Sequence, residues 1–158
     1  MKMKLSKLLI NVALFFISAS FVSAEEASVK TEIRNTLSVF VQAFAFADEE
    51  KFKNTVSPGF TIVDYNGEIE SLEKALTQFP SRREGEFVKY ESSLVTLKKI
   101  NVKRRVAIVD AVWESSGFSV ESEKSFSYKH SYMFVLVYDY SSRDRKTRKW
   151  FVLTAVRL

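Results

Sequence analysis

Two side chains in this 158-residue sequence have the chemistry to move a proton near neutral pH: Asp64 and the single histidine, His130. Asp64 lies in a stretch read as a short strand, Phe60 to Tyr65, where alternation puts it on the face of Ile62. A carboxylate facing an apolar pocket has a raised pKa and can act as a general base. The same position, directly before Tyr65-Asn66-Gly67, is also where an aspartate serves a hairpin turn. Both roles fit the spacing. His130 shares one strand face with Phe126, Tyr128, Tyr132, Phe134 and Tyr138. If that face lines a pocket, His130 with Tyr128 or Tyr132 pairs with Asp64 as acid and base. If the face is core or a dimer surface, the imidazole is a hydrogen-bonded bystander.

Other chemistries are excluded by composition. With no Cys there is no disulfide, thiol nucleophile or Cys-ligated metal, and one His cannot build a multi-histidine centre. No glycine-rich phosphate loop, metal-ligand spacing or serine elbow occurs, so neither a cofactor nor a metal is expected. Trp113 lies on a strand face with Ala107, Val109 and Ala111, against Asp110 and Glu114 on the other face. Its indole could stack on a ring-shaped ligand or anchor a core. Basic residues gather in two turns, Lys99–Arg104 with Arg105 beside it, and Ser141–Arg148. Lys103, Arg104 and Arg105 could meet an anionic surface or simply guard strand ends. Nucleic-acid binding is not expected, because no aromatics interleave with these charges.

The elements that must position these groups follow a leader. Residues 1–24 read as a secretory signal peptide: Lys2, Lys4 and Lys7, an apolar Leu8–Phe16 run too short to span a bilayer, then Val22-Ser23-Ala24 before a cut. A periplasmic or secreted destination follows. Loss of those three lysines takes the formal net charge from +5 to +2. Residues 25–158 then form one domain. Val29, Ile33, Leu37, Phe40 and Phe44 stripe a helix over Ser28–Ala47. Asp48 is set to cap a short second helix, with Phe52 and Val56 facing inward and Ser57-Pro58-Gly59 stopping it. Asn66-Gly67 signals a hairpin between Phe60–Tyr65 and Glu68–Glu70. Ser71 caps a third helix ended by Pro80, and Ser81–Gly85 reads as a charged loop.

The second half reads as four long strands: Phe87–Ile100, Val102–Phe118, Lys124–Tyr140 and Lys149–Leu158. Short connections imply an antiparallel meander. The class is therefore α+β, with helices on one face of a curved antiparallel sheet. The two basic turns fall at one end of that sheet and the acidic Glu121–Glu123 turn at the other.

The run from Ile33-Arg34-Asn35-Thr36-Leu37 through Phe40–Asp48, then Phe52, Ser57-Pro58-Gly59-Phe60, Val63-Asp64-Tyr65-Asn66-Gly67 and the terminal Lys149-Trp150-Phe151-Val152-Leu153, resembles nuclear-transport-factor-2-like (SnoaL-like, ketosteroid-isomerase-like) proteins. The resemblance implies a cone: a curved sheet wrapped around the long helix, with a pocket inside and homodimers formed through the sheet. It places Phe40, Phe44, Trp113, Tyr128 and Tyr132 as the ligand-binding side chains. In the isomerase branch an acid at the position of Asp64 is the general base. That branch's helix tyrosine would match Phe40, which has no hydroxyl, and its second acid would fall within Tyr132–Phe134, where this chain has no carboxylic acid. The reading that follows is an exported protein binding a small apolar or aromatic molecule. A lyase or isomerase using Asp64 and His130 is one alternative, and an envelope interaction module is another.

Overall fold

The computed structural model describes residues 26–139 and 149–158, so the leader and the Ser141–Arg148 turn lie outside the described residues. The chain falls into two units, Met1–Glu32 and Ile33–Leu158. In the first, residues 26–32 are helical, with Lys30 paired to Glu26 at 2.6 Å. Among the described residues no helix is long and apolar enough to cross a membrane.

Residues 33–45 form α1, and the expected stripe is its buried face: Ile33, Leu37, Phe40 and Val41 have no exposed surface. Ala47 takes a left-handed φ of 53° and turns the chain. Asp48 then caps α2 (Glu49–Thr55), its Oδ1 accepting from Lys51 N at 3.1 Å. Ser57-Pro58-Gly59 does not form a break, as expected from sequence, but lies inside β1 (Val56–Val63). The pairing register shifts between Val56 and Thr61, so the missing proline N–H falls where the ladder is already interrupted. Asn66-Gly67 does turn β1 into β2 (Ile69–Ser71). Ser71 caps α3 (Leu72–Thr77). Pro80 opens α4 (Phe79–Glu84) rather than ending a helix, because its fixed φ and absent N–H suit a first turn. The expected charged loop at 81–85 is therefore mostly helix, closed by Gly85 at φ 65°.

Strands β3 (Val88–Lys103), β4 (Val106–Ser119), β5 (Lys124–Tyr138) and β6 (Trp150–Arg157) form the expected meander. β1 joins the far side of β6 in parallel, giving the order β2-β1-β6-β5-β4-β3 and a mixed sheet. The β3–β4 turn falls at Arg104, with φ 58°, and Asn101 pairs with Ile108 instead of breaking the strand. Glu91 and Lys98 are extra residues in β3, each unmatched on β4, and such bulges bend a sheet. The sheet is curved and unclosed.

The face turned to α1 carries Ala107, Val109, Ala111, Trp113 and Ser115 of β4, all buried. One polar knot joins the layers. Ser93 Oγ donates to Val41 O at 3.1 Å and accepts from Trp113 Nε1 at 2.8 Å. Ser93→Ala would strand the Trp113 N–H and the Ser115 hydroxyl in the interior, an expected loss of about 2 kcal/mol measurable by urea denaturation.

Candidate functional site

The interior between α1 and the sheet is filled in its deep half. Phe40 meets Phe52, Phe60, Trp113 and Phe134 at ring-centroid distances of 5.5 to 6.0 Å. It has no exposed surface, so this expected ligand contact is core packing. Trp113 is nearly buried as well, its N–H committed to Ser93. Phe44 is half-buried, and the Arg82 guanidinium covers its ring at 4.3 Å.

Towards the other end of β5 the packing opens. Alternation lines up Phe126, Tyr128, His130 and Tyr132, with centroids 5.0 Å apart from Phe126 to Tyr128 and 5.5 Å from Tyr128 to His130. Tyr128 is 38% exposed, and the other three are half-buried. Tyr90 of β3 joins them, its hydroxyl 2.8 Å from that of Tyr128 and its ring edge-on to Phe126. Next to Tyr90 lies a cavity of about 410 Å³, lined by Thr77, Gln78, Ser81 and Arg82 from the α3–α4 layer and by Phe87, Val88 and Tyr90.

Two cations flank the rings. Arg82 Nη2 donates to Gln78 Oε1 at 2.8 Å, and its Nη1 is buried without a partner. Arg157 of β6 puts Nη2 at 3.1 and 2.9 Å from the two ring nitrogens of His130, and its guanidinium lies 5.1 Å from the Tyr65 ring. Burial, then the Tyr90 hydrogen bond, pushes the Tyr128 hydroxyl well above its usual range, with the Arg82 charge opposing. Burial raises Tyr132 against the charge of Arg157.

Burial first, and Arg157 second, hold His130 below its ordinary value of 6.5. The imidazole is therefore neutral at pH 7. Its folded pKa is depressed, so its contribution to stability is full above pH 6.5 and is lost as pH falls through the lowered midpoint. A proton NMR titration is expected to place the one imidazole resonance at a midpoint below 6.5 in the wild type and higher in Arg157→Gln.

Asp64 is engaged elsewhere. Its Oδ1 accepts from Asn66 N at 2.8 Å and Glu68 N at 2.9 Å, the turn-serving role open to it from sequence. No hydrogen bond joins it to His130, whose polar partner is Arg157. No hydrogen bond thus links the two residues read as a catalytic pair. Lys103, Arg104 and Arg105 are exposed at the β3–β4 turn, beside a groove of about 690 Å³ with Val102, Val106 and Ile108 in its wall. Among the described residues no group of three or more His, Asp or Glu could hold a metal ion. Sequence reasoning passed over Gln78, Ser81, Arg82, Tyr90 and Arg157. The i, i+4 spacing of Gln78 and Arg82, and the shared face of Ala155 and Arg157, were the signals available.

No family model and no curated relative matches the chain. Solved structures do. A conserved protein from Planctomyces limnophilus superposes with a TM-score of 0.68 at 10% identity, over 82% of this chain and 94% of its own. An NTF2-like protein from Cytophaga hutchinsonii gives 0.64 at 13% identity, over 81% and 95%. The chain has the nuclear-transport-factor-2-like fold. A ketosteroid isomerase-like protein from Erwinia carotovora atroseptica shares this nuclear-transport-factor-2-like architecture with a TM-score of 0.63 at 12% identity, over 80% and 92%. Likeness at this level concerns the fold alone, and the fold hosts many functions. Within it, Phe40 of this chain is buried among other rings, and Asp64 is tied into a turn.

Proposed function

We propose that this chain binds a small apolar or aromatic molecule at the open end of the cone, in the cavity beside Tyr90 and against the Tyr128 ring. What carries the reading is the contrast between the two ends of one interior. Rings at the deep end close on each other, while rings at the open end stay partly accessible next to a cavity of about 410 Å³. Ligand surface buried there gains about 25 cal/mol per Å² of apolar area, and the volume suits a small organic molecule. Titration calorimetry with 2-naphthamide, a neutral two-ring probe, tests it. Saturable one-to-one binding is expected, weakened about tenfold in Tyr90→Ala. Absence of saturable binding would reject the reading.

We also infer that the outer face of the sheet seats a second copy. Leu94, Val106 and Ile108 are exposed on that face, with half-buried Val112, Met133, Val135 and Val137 between them. Ile108→Lys should then shift the sedimenting species from dimer to monomer. Residues 1–24 act as an export leader in this proposal, and the mass of the mature protein should begin at Glu25.

A further inference from the structure

One cation in the cavity wall has no counter-charge. Arg82 is half-buried, and no carboxylate lies within 4 Å of its guanidinium among the described residues. Its polar contact is Nη2 to Gln78, a neutral amide, and its Nη1 is buried with no acceptor. The nearby Glu70 accepts from Gln78 at 3.4 Å and is already neutralised by Lys74 at 3.3 Å. Withdrawing a charge from water without a counter-ion costs folding free energy, and so does a donor left without an acceptor. The Phe44 ring under the face of the guanidinium and the Gln78 bond at its edge hold it in place. Ser81, one residue earlier, adds a hydroxyl to the same wall. Phe87, Val88 and Tyr90 also line the cavity. The cavity lining thus combines a cation and polar groups with apolar and aromatic side chains.

We propose that the cavity takes an organic anion, a carboxylate carried on an apolar or aromatic body, with its head on Arg82 and its body on Phe87, Val88 and Tyr90. The inference rests on the reading of this cavity as a ligand site and adds the charge of the ligand. A planar carboxylate matches a guanidinium fork in shape as well as sign. Arg157 lies on β6, beyond the Tyr128–His130 rings, and is engaged with His130 and Tyr65, so the head is assigned to Arg82.

The test pairs 2-naphthoate with 2-naphthamide, equal in ring and different in head charge. The wild type should bind naphthoate about tenfold more tightly, and that preference should shrink as salt is added. Arg82→Gln should abolish the preference, so that naphthoate binds no more tightly than naphthamide to that variant, and Arg82→Lys should retain part of it. The wild-type comparison and its salt dependence need no variant, so a poorly folding Arg82→Gln chain leaves the test intact. Equal affinity for both probes overturns the anion proposal and leaves the apolar site standing. A preference that survives Arg82→Gln and disappears in Arg157→Gln overturns the assignment of the head. Binding of neither probe overturns both readings.

Discussion

Replacing Gly117 by alanine is expected to lower the stability of the fold by about 3 kcal/mol and its Tm by roughly 10 °C. Gly117 sits on β4 opposite Tyr90, where Glu91 bulges out of β3 and brings the two backbones together. A Cβ added there would stand 2.1 Å from Lys89 O, 2.9 Å from Tyr90 Cα and 3.0 Å from Lys89 C. All three atoms belong to backbone, so no rotamer change relieves the clash, and β3 must move away from β4. Gly59→Ala is the matched control. Its nearest new contact is Leu153 Cδ1 at 4.0 Å, an ordinary distance, and a strand alanine there should be neutral or slightly stabilising. Equal thermal melts for the two variants would mean that β3 and β4 do not approach at Gly117. Because Tyr90 is in the cavity wall, Gly117→Ala should also weaken naphthamide binding in whatever fraction still folds.

Phe40→Ala should be the most damaging side-chain truncation, at about 4 kcal/mol in urea denaturation. Phe40 is fully buried and its ring touches those of Phe44, Phe52, Phe60, Trp113 and Phe134. It joins α1, α2, β1, β4 and β5, so the void it leaves is walled by elements that cannot all close in. Phe40→Tyr is a milder probe of the same site. It keeps the ring and adds a hydroxyl in a place lined by rings, at an expected cost of about 1–3 kcal/mol. A loss below 1 kcal/mol for Phe40→Ala would mean that the deep half is loosely filled, and would return Phe40 to the set of ligand contacts.

Much of this was readable in the residue pattern. The α1 stripe is a plain 3.6-residue repeat, and Asp48, Ser71 and Asn66-Gly67 act through local backbone bonds that need no tertiary partner. Alternation in β4 and β5 assigned each side chain to its face, because neither strand carries an extra residue where they pair. Local punctuation misled at three places. Pro58-Gly59 looks like a stop, yet it is accommodated within β1 by its neighbour β6. Pro80 has the same chemistry at the end of one helix and the start of the next. The β3–β4 turn at Arg104 uses a positive φ without glycine, so nothing in its composition marks it. The site was harder still. Asp64 and His130 drew attention as residue types, whereas Arg82 and Arg157 matter for what surrounds them. A charged stretch such as Ser81-Arg82-Arg83-Glu84 looks solvated until α4 lays Arg82 over Phe44.

The parallel pairing of β1 with β6 also sets a timetable. Ile62 and Val63 bond across the sheet to Ala155 and Val156, more than ninety positions later in the chain. Until β6 leaves the ribosome, β1 has only the three-residue β2 beside it, and Val56 and Ile62 lack Val152 and Ala155, with which they pair. Assembly is consequently a late event, since loops of this length close slowly and the reward arrives only with the last strand. Nascent chains halted before Trp150 should remain protease-sensitive throughout, including the helix and hairpin that were synthesised first.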